Sequence, residues 1–205
     1  MSWNGNEHNN LFRNEGTTAD GLPQFADVAM ALGADDVKDA RGLAVADFDN
    51  DGDLDIVIAT NPGDHGAQSV PPALLRNDIG HQRNYLAVEL KGTTSNRDAV
   101  GAVVRIEAAG SNRSQPLQLT RHVQCGSGYA SQNDLRLFFG LGDCQSISKV
   151  VVSWPSGVGQ TLTTGVKING LIRIVEGQES VEQLPFDVAH VAIKATRSPA
   201  TTDAP

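Results

Sequence analysis

Asp47-Phe48-Asp49-Asn50-Asp51-Gly52-Asp53-Leu54-Asp55 decides how this chain is read. Carboxylates stand at every second position, and a curved backbone would turn them toward a common point. Two like charges about 4 Å apart repel by roughly 1 kcal/mol even in water. Five carboxylates in one loop therefore call for a neutralising ion, and hard oxygen donors favour calcium over zinc or copper. Asp, Asn and Gly also build metal-free turns, but a turn needs only two or three of them.

The register can be stated residue by residue. With Asp47 at position one of a calcium loop, Asp49 falls at three, Asp51 at five, Gly52 at six, Asp53 at seven and Asp55 at nine. Asp53 would then offer its backbone carbonyl, and Gly52 would take the positive-φ turn around the ion. Position twelve is Ile58, where an EF-hand needs a bidentate Glu. The flanks, Gly42 to Ala46 and Leu54 to Ala59, are short β-branched or apolar runs, so the pattern predicts strand, loop, strand.

Of 205 residues, 40% are hydrophobic and 20% charged, with 21 glycines, the profile of a globular protein rich in turns. A net charge of −8 argues against nucleic acid or an anionic membrane as partner. No apolar run approaches a membrane span, and the polar stretch Met1 to Asn10 has no signal-peptide character. Whether Cys125 and Cys144 pair is left open, and two thiols alone make no zinc site.

Leu11-Phe12-Arg13-Asn14 returns as Leu74-Leu75-Arg76-Asn77, 63 residues on, which points to a repeat architecture of short strands such as a β-propeller. The stretch Leu43 to Ile58 resembles an FG-GAP or VCBS-type repeat. That resemblance implies calcium bound through Asp47, Asp49, Asp51 and Asp55 and the carbonyl of Asp53. Residues 1–80 hold too little chain for a closed propeller, so a partial blade segment is expected there, with other blades of a longer chain or an oligomer as partners.

From Asn84 the pattern becomes strands separated by turn clusters: Tyr85 to Leu90, Ala102 to Glu107, Leu117 to Thr120, Val150 to Trp154 and Leu171 to Val175. An all-β protein follows, with a β-sandwich- or barrel-like module over 84–177. Five phrases in order are similar to the ASPIC/UnbV domain: Asn84-Tyr85-Leu86, Ser95 to Ala102, Gly126-Ser127-Gly128-Tyr129-Ala130-Ser131-Gln132, Phe139-Gly140-Leu141-Gly142, and Trp154-Pro155-Ser156-Gly157. The resemblance implies an extracellular, calcium-dependent, β-rich protein with a binding or adhesive role, and it brings no established catalytic activity with it. Trp154 is expected to end a strand with its indole in the core. Residues 178–205 read as a tail, mostly disordered, with an edge strand at Val188 to Ile193.

An enzyme would need more. Ser127 lacks the Gly-x-Ser-x-Gly elbow, although His122 stands nearby. His8, His65, His81, His122 and His190 show no zinc spacing. Asn112-Arg113-Ser114 fits the N-glycosylation pattern. The sequence thus favours a non-catalytic, calcium-binding recognition protein with a protein or carbohydrate ligand. A hydrolase sited in the second module and a structural spacer are the competing readings.

Overall fold

Phe12–Thr17 (β1) and Pro23–Asp27 (β2) pair as an antiparallel hairpin. A single helical turn, Ala29–Leu32 (α1), follows and is closed by Gly33 in the left-handed conformation. The structure, a computed structural model, describes residues 8–60, 71–110 and 115–186. Ala40–Ala46 (β3), Asp55–Thr60 (β4) and Ala73–Leu75 (β5) then form a three-stranded antiparallel sheet in the order β3-β4-β5. Ala46 faces Asp55 across the ladder, so the acidic run is the β3–β4 connection, the strand-loop-strand arrangement that the flanking residues predict.

Hairpin and sheet remain separate, and a four-stranded blade is not formed among the described residues. Their core is thin: the buried apolar side chains here are Ala29, Ala34 and Ile58. Phe12, Phe25, Met30 and Ile79 lie more than half exposed.

The second part is built differently. Asn84–Lys91 (β6), Val103–Ala109 (β7), Leu117–His122 (β8), Leu137–Gly142 (β9), Ser146–Ser153 (β10), Gly159–Leu162 (β11), Leu171–Val175 (β12) and Val181–Leu184 (β13) make two four-stranded sheets. Their orders are β11-β10-β7-β8 and β13-β12-β6-β9. Every pairing is antiparallel except β12 with β6, which run parallel with Leu171 beside Ala87.

Inward residues of both sheets share one core. Val104 and Ile106 of β7 and Val150 and Val152 of β10 meet Leu86 and Val88 of β6, Phe139 and Leu141 of β9, and Ile172 and Ile174 of β12. Alternation with a period of two puts these side chains on one face of each strand. Burying each contributes about 1.5–3 kcal/mol relative to leaving it in water. The expectation of a sandwich or a barrel therefore resolves to two packed sheets, with no closed barrel among the described residues. Trp154 follows β10 directly, is 3% exposed and donates its indole N–H to Gln160 Oε1 at 2.9 Å, as its position predicts.

The five strands expected from alternation are present, and β9, β11 and β13 are additions. In β9 the run Leu137-Phe138-Phe139-Gly140-Leu141-Gly142 has no polar alternation, because Phe138 packs in a small second cluster with Ala87 and Leu171 on the other face. The module also continues past 177. Val181–Leu184, placed by the sequence in the tail, pairs with β12 through Ile174 and Val181. The strand expected at 188–193, the rest of the tail and the glycosylation pattern at 112–114 lie outside the described residues. No helix among the described residues is long and apolar enough to cross a membrane.

Candidate metal centre

The acidic loop leaves β3 at Ala46 and re-enters β4 at Asp55, so its two ends are fixed by the ladder. Asp47 and Asp55 are buried at 3% and 1% exposure. The Asp47 carboxylate accepts the amides of Asp51 (3.1 Å) and Gly52 (3.0 Å). Asp55 accepts the amides of Phe48 (3.0 Å) and Asn77 (2.8 Å). These bonds curl the backbone inward, and Gly52 takes φ 97°, as the register requires.

One carboxylate oxygen from each of Asp47, Asp49 and Asp55 lies within 4.8 Å of the other two. The other two aspartates are placed differently. Asp51 accepts the Asp53 amide at 2.9 Å. Asp53 is 2% exposed and turns its carboxylate under Gly80, where an added Cβ would sit 2.6 Å from Oδ1.

Two observations bear on whether this donor set fits a cation. Among the described residues the buried Oδ1 of Asp49 has no hydrogen-bond partner, a costly state for a carboxylate oxygen. Burial pushes the Asp47 carboxyl up to about 6, even though the amides of Gly52 and Asp51 and the Arg136 guanidinium pull the other way. Asp51 is raised as well, by burial first and then by the charges of Asp49, Asp53 and Asp55. A hard divalent cation would relieve both strains, since carboxylate oxygens are its preferred ligands. The three converging carboxylates are donors of the hard-oxygen type.

The loop is gripped by the second part through residues that sequence reading did not single out for a role. Arg136 donates to Asn50 Oδ1 (3.0 Å) and to the Asp47 carbonyl (3.1 Å), and its Nε meets Asp134 at 2.6 Å. Its guanidinium also lies 5.6 Å over the Phe138 ring. Tyr85 of β6 covers Gly52. Asn50 holds φ 57°, the left-handed region that Asn tolerates best among residues with a side chain.

The Gly126 to Gln132 phrase reaches the same place. Ser131 Oγ accepts the Leu43 amide (2.9 Å), Asn133 Oδ1 accepts the Val45 amide (3.0 Å), and the Asp134 amide donates to the Val45 carbonyl (3.0 Å). These bonds seal the open edge of β3, which would otherwise present unpaired backbone groups.

The hydrolase candidates do not assemble into catalytic geometry. Ser127 and His122 line one cleft, yet among the described residues no hydrogen bond joins them. His8 pairs with Asp35, while His65 and His190 lie outside the described residues. Cys125 is exposed and Cys144 buried, both as free thiols. The Asn96 side chain caps its own turn through both the amide (2.8 Å) and the carbonyl (2.9 Å) of Val100, a structural role.

The architecture defines a class: a two-sheet β module whose loops hold an acidic strand-loop-strand sheet against it. Residues 92–181 match the ASPIC and UnbV family model. Human cartilage acidic protein 1 is 31% identical over 137 residues, 65% of this chain and 19% of the human protein. The Xenopus tropicalis protein of the same name is 46% identical over 63 residues, 30% of this chain and 9% of the frog protein. The alignments thus span about a fifth or less of these relatives.

Proposed function

We propose that this is a non-catalytic, calcium-binding recognition or adhesion protein of the extracellular space, and that the acidic part is an FG-GAP/VCBS-type blade segment. Asp47, Asp49 and Asp55 hold the ion, with Asp51 and the Asp53 carbonyl completing the set in the register of the loop. The observation that carries this is the grouping of three carboxylates within 4.8 Å of one another, with an Asp49 Oδ1 that is buried and without a hydrogen bond among the described residues. The ion acts as a stiffener: it fixes the loop on which Arg136 and Tyr85 of the second part rest. The cartilage in the relatives' name supports an extracellular setting. The exposed apolar side chains of the hairpin and of α1, Phe12, Phe25 and Met30, support packing against further blades or a second subunit.

The test is thermal unfolding in EDTA and in millimolar calcium, for the wild type and for Asp49→Ala and Asp51→Ala. Calcium at ~100 times its dissociation constant adds about 2.7 kcal/mol, which raises the midpoint by roughly 5–10 °C for a chain of this size. The rise is lost in Asp49→Ala and reduced in Asp51→Ala. An unchanged midpoint in the wild type would refute the calcium reading.

A further inference from the structure

The segment that seals β3 also helps close a cleft of about 150 Å3 between the two parts. Val45 and Leu54 of the first part and Leu137 and Phe138 of the second give it an apolar side. The remaining lining is polar. Arg121 and His122 come from the end of β8, and Gln124, Ser127 and Asn133 from the segment after it.

The charge of this lining runs against that of the protein. The chain carries −8, yet the cleft holds Arg121 and Arg136 against a single carboxylate, Asp134, which already meets Arg136 Nε at 2.6 Å. Low-dielectric walls around an excess of one sign concentrate its field. Arg136 is taken up by Asp134 and by the acidic loop, so Arg121 is the guanidinium that an anion in this cleft meets.

Donors also outnumber acceptors. Arg121 is held in place: Nε donates to the Phe138 carbonyl (3.3 Å), Nη1 to the Thr120 carbonyl (3.1 Å), and the guanidinium lies 5.9 Å over the Phe139 ring. Nη2 is left without a hydrogen bond among the described residues. Asn133 spends its carbonyl oxygen on Val45, which leaves its NH2 group. The side chains of Gln124 and Ser127 make no hydrogen bond among the described residues, although both line the cleft. A fixed guanidinium with amide and hydroxyl donors beside it matches the planar or tetrahedral oxygens of an oxyanion.

We propose that this cleft binds a small oxyanion-bearing ligand of the acidic-sugar class. The carboxylate or sulfate is held by Arg121 with Gln124 and Ser127, and the C–H face of the ring lies on the exposed Leu54. This rests on the recognition reading above, but not on the cation.

The experiment is an amide NMR titration of the full chain with glucuronate, glucose and inorganic sulfate at matched ionic strength, in calcium and again in EDTA. Glucuronate shifts the amides of 121–127 and 133–138 saturably, and glucose leaves them in place. Sulfate that competes with glucuronate assigns recognition to the oxyanion alone; sulfate without effect assigns it to the sugar acid. Gln124→Glu places a negative charge at an exposed position with no hydrogen bond to lose, so its midpoint is unchanged while glucuronate binds at least tenfold more weakly. Arg121→Gln weakens binding at least as much. Equal shifts with glucose, no saturable shift, or full affinity in Gln124→Glu would overturn the proposal. Glucuronate binding in EDTA together with a calcium-insensitive midpoint would remove the calcium reading and leave this one standing. A calcium-raised midpoint without glucuronate binding would do the reverse.

Discussion

The ring of Tyr85 occupies the space that any side chain at position 52 would need: a Cβ on Gly52 would stand 2.6 Å from the Tyr85 Oη. Gly52 is thus required twice, for its φ of 97° inside the acidic loop and for the contact that joins the loop to β6. The register of the loop implies the first requirement. The second belongs to a residue 33 positions away, and nothing in the local pattern carries it.

Gly52→Ala should therefore destabilise by about 2–4 kcal/mol, the sum of a strained backbone and a displaced ring. The double variant Gly52→Ala with Tyr85→Ala removes the steric part only. In a double-mutant cycle by urea unfolding, the two changes should show a favourable coupling of about 1 kcal/mol or more. Strict additivity would mean that the ring does not press on the loop.

Arg136 makes a separable contribution. It bonds Asn50 and the Asp47 carbonyl while holding Asp134, with its side chain 23% exposed. Arg136→Ala leaves a buried carbonyl and a carboxylate short of a donor, at about 2–3 kcal/mol. It should also weaken calcium affinity if the loop needs external support, which calcium titration of the variant measures directly.

How much of this was legible in advance divides along sequence separation. The strands β6, β7, β8, β10 and β12 follow from alternation, and Trp154 from its place after one of them, because these patterns are local. The acidic loop was legible for the same reason. Arg136 and Tyr85 were not, since each meets the loop from more than 30 residues away and their types are ordinary at the surface. Asp51 shows the limit within the loop itself: the register sets its side chain among the donors, while in the fold Asp47, Asp49 and Asp55 converge and Asp51 accepts the Asp53 amide.

The seal on β3 makes a residue-level prediction. Asn133→Ala removes the acceptor of the Val45 amide and should cost about 1 kcal/mol. Hydrogen exchange at Val45 should accelerate, whereas exchange at Val57 of β4 stays slow. Equal protection at Val45 in the variant would show that the segment does not cover this edge.

Glu176 gives the pH dependence. It is 5% exposed, and its Oε2 accepts the amides of Thr93 (2.8 Å), Thr94 (2.8 Å) and Ser95 (2.7 Å). Its Oε1 accepts the hydroxyls of Ser95 (2.8 Å) and Ser156 (2.5 Å). Burial acts to raise the carboxyl, but these donors outweigh it and hold the group down at about 2 against an ordinary 4.5. A carboxylate depressed in the folded state contributes stability above its unfolded value, and that contribution drains away as pH falls through the folded one. Glu176→Gln keeps an oxygen for the three amides and loses the charge, whereas Glu176→Ala leaves those amides without an acceptor. Both variants should unfold earlier than wild type at pH 7, the alanine more so. The gap between wild type and glutamine should hold down to about pH 4.5 and close toward pH 2, because only the wild type loses a charge in that window. Other titrating groups, Asp47 among them, are common to both proteins and cancel in the comparison. Urea unfolding of the pair at half-unit pH steps measures it, and a gap that stayed constant down to pH 2 would show that the carboxylate's charge is not what ties residues 93–95 to the end of β12.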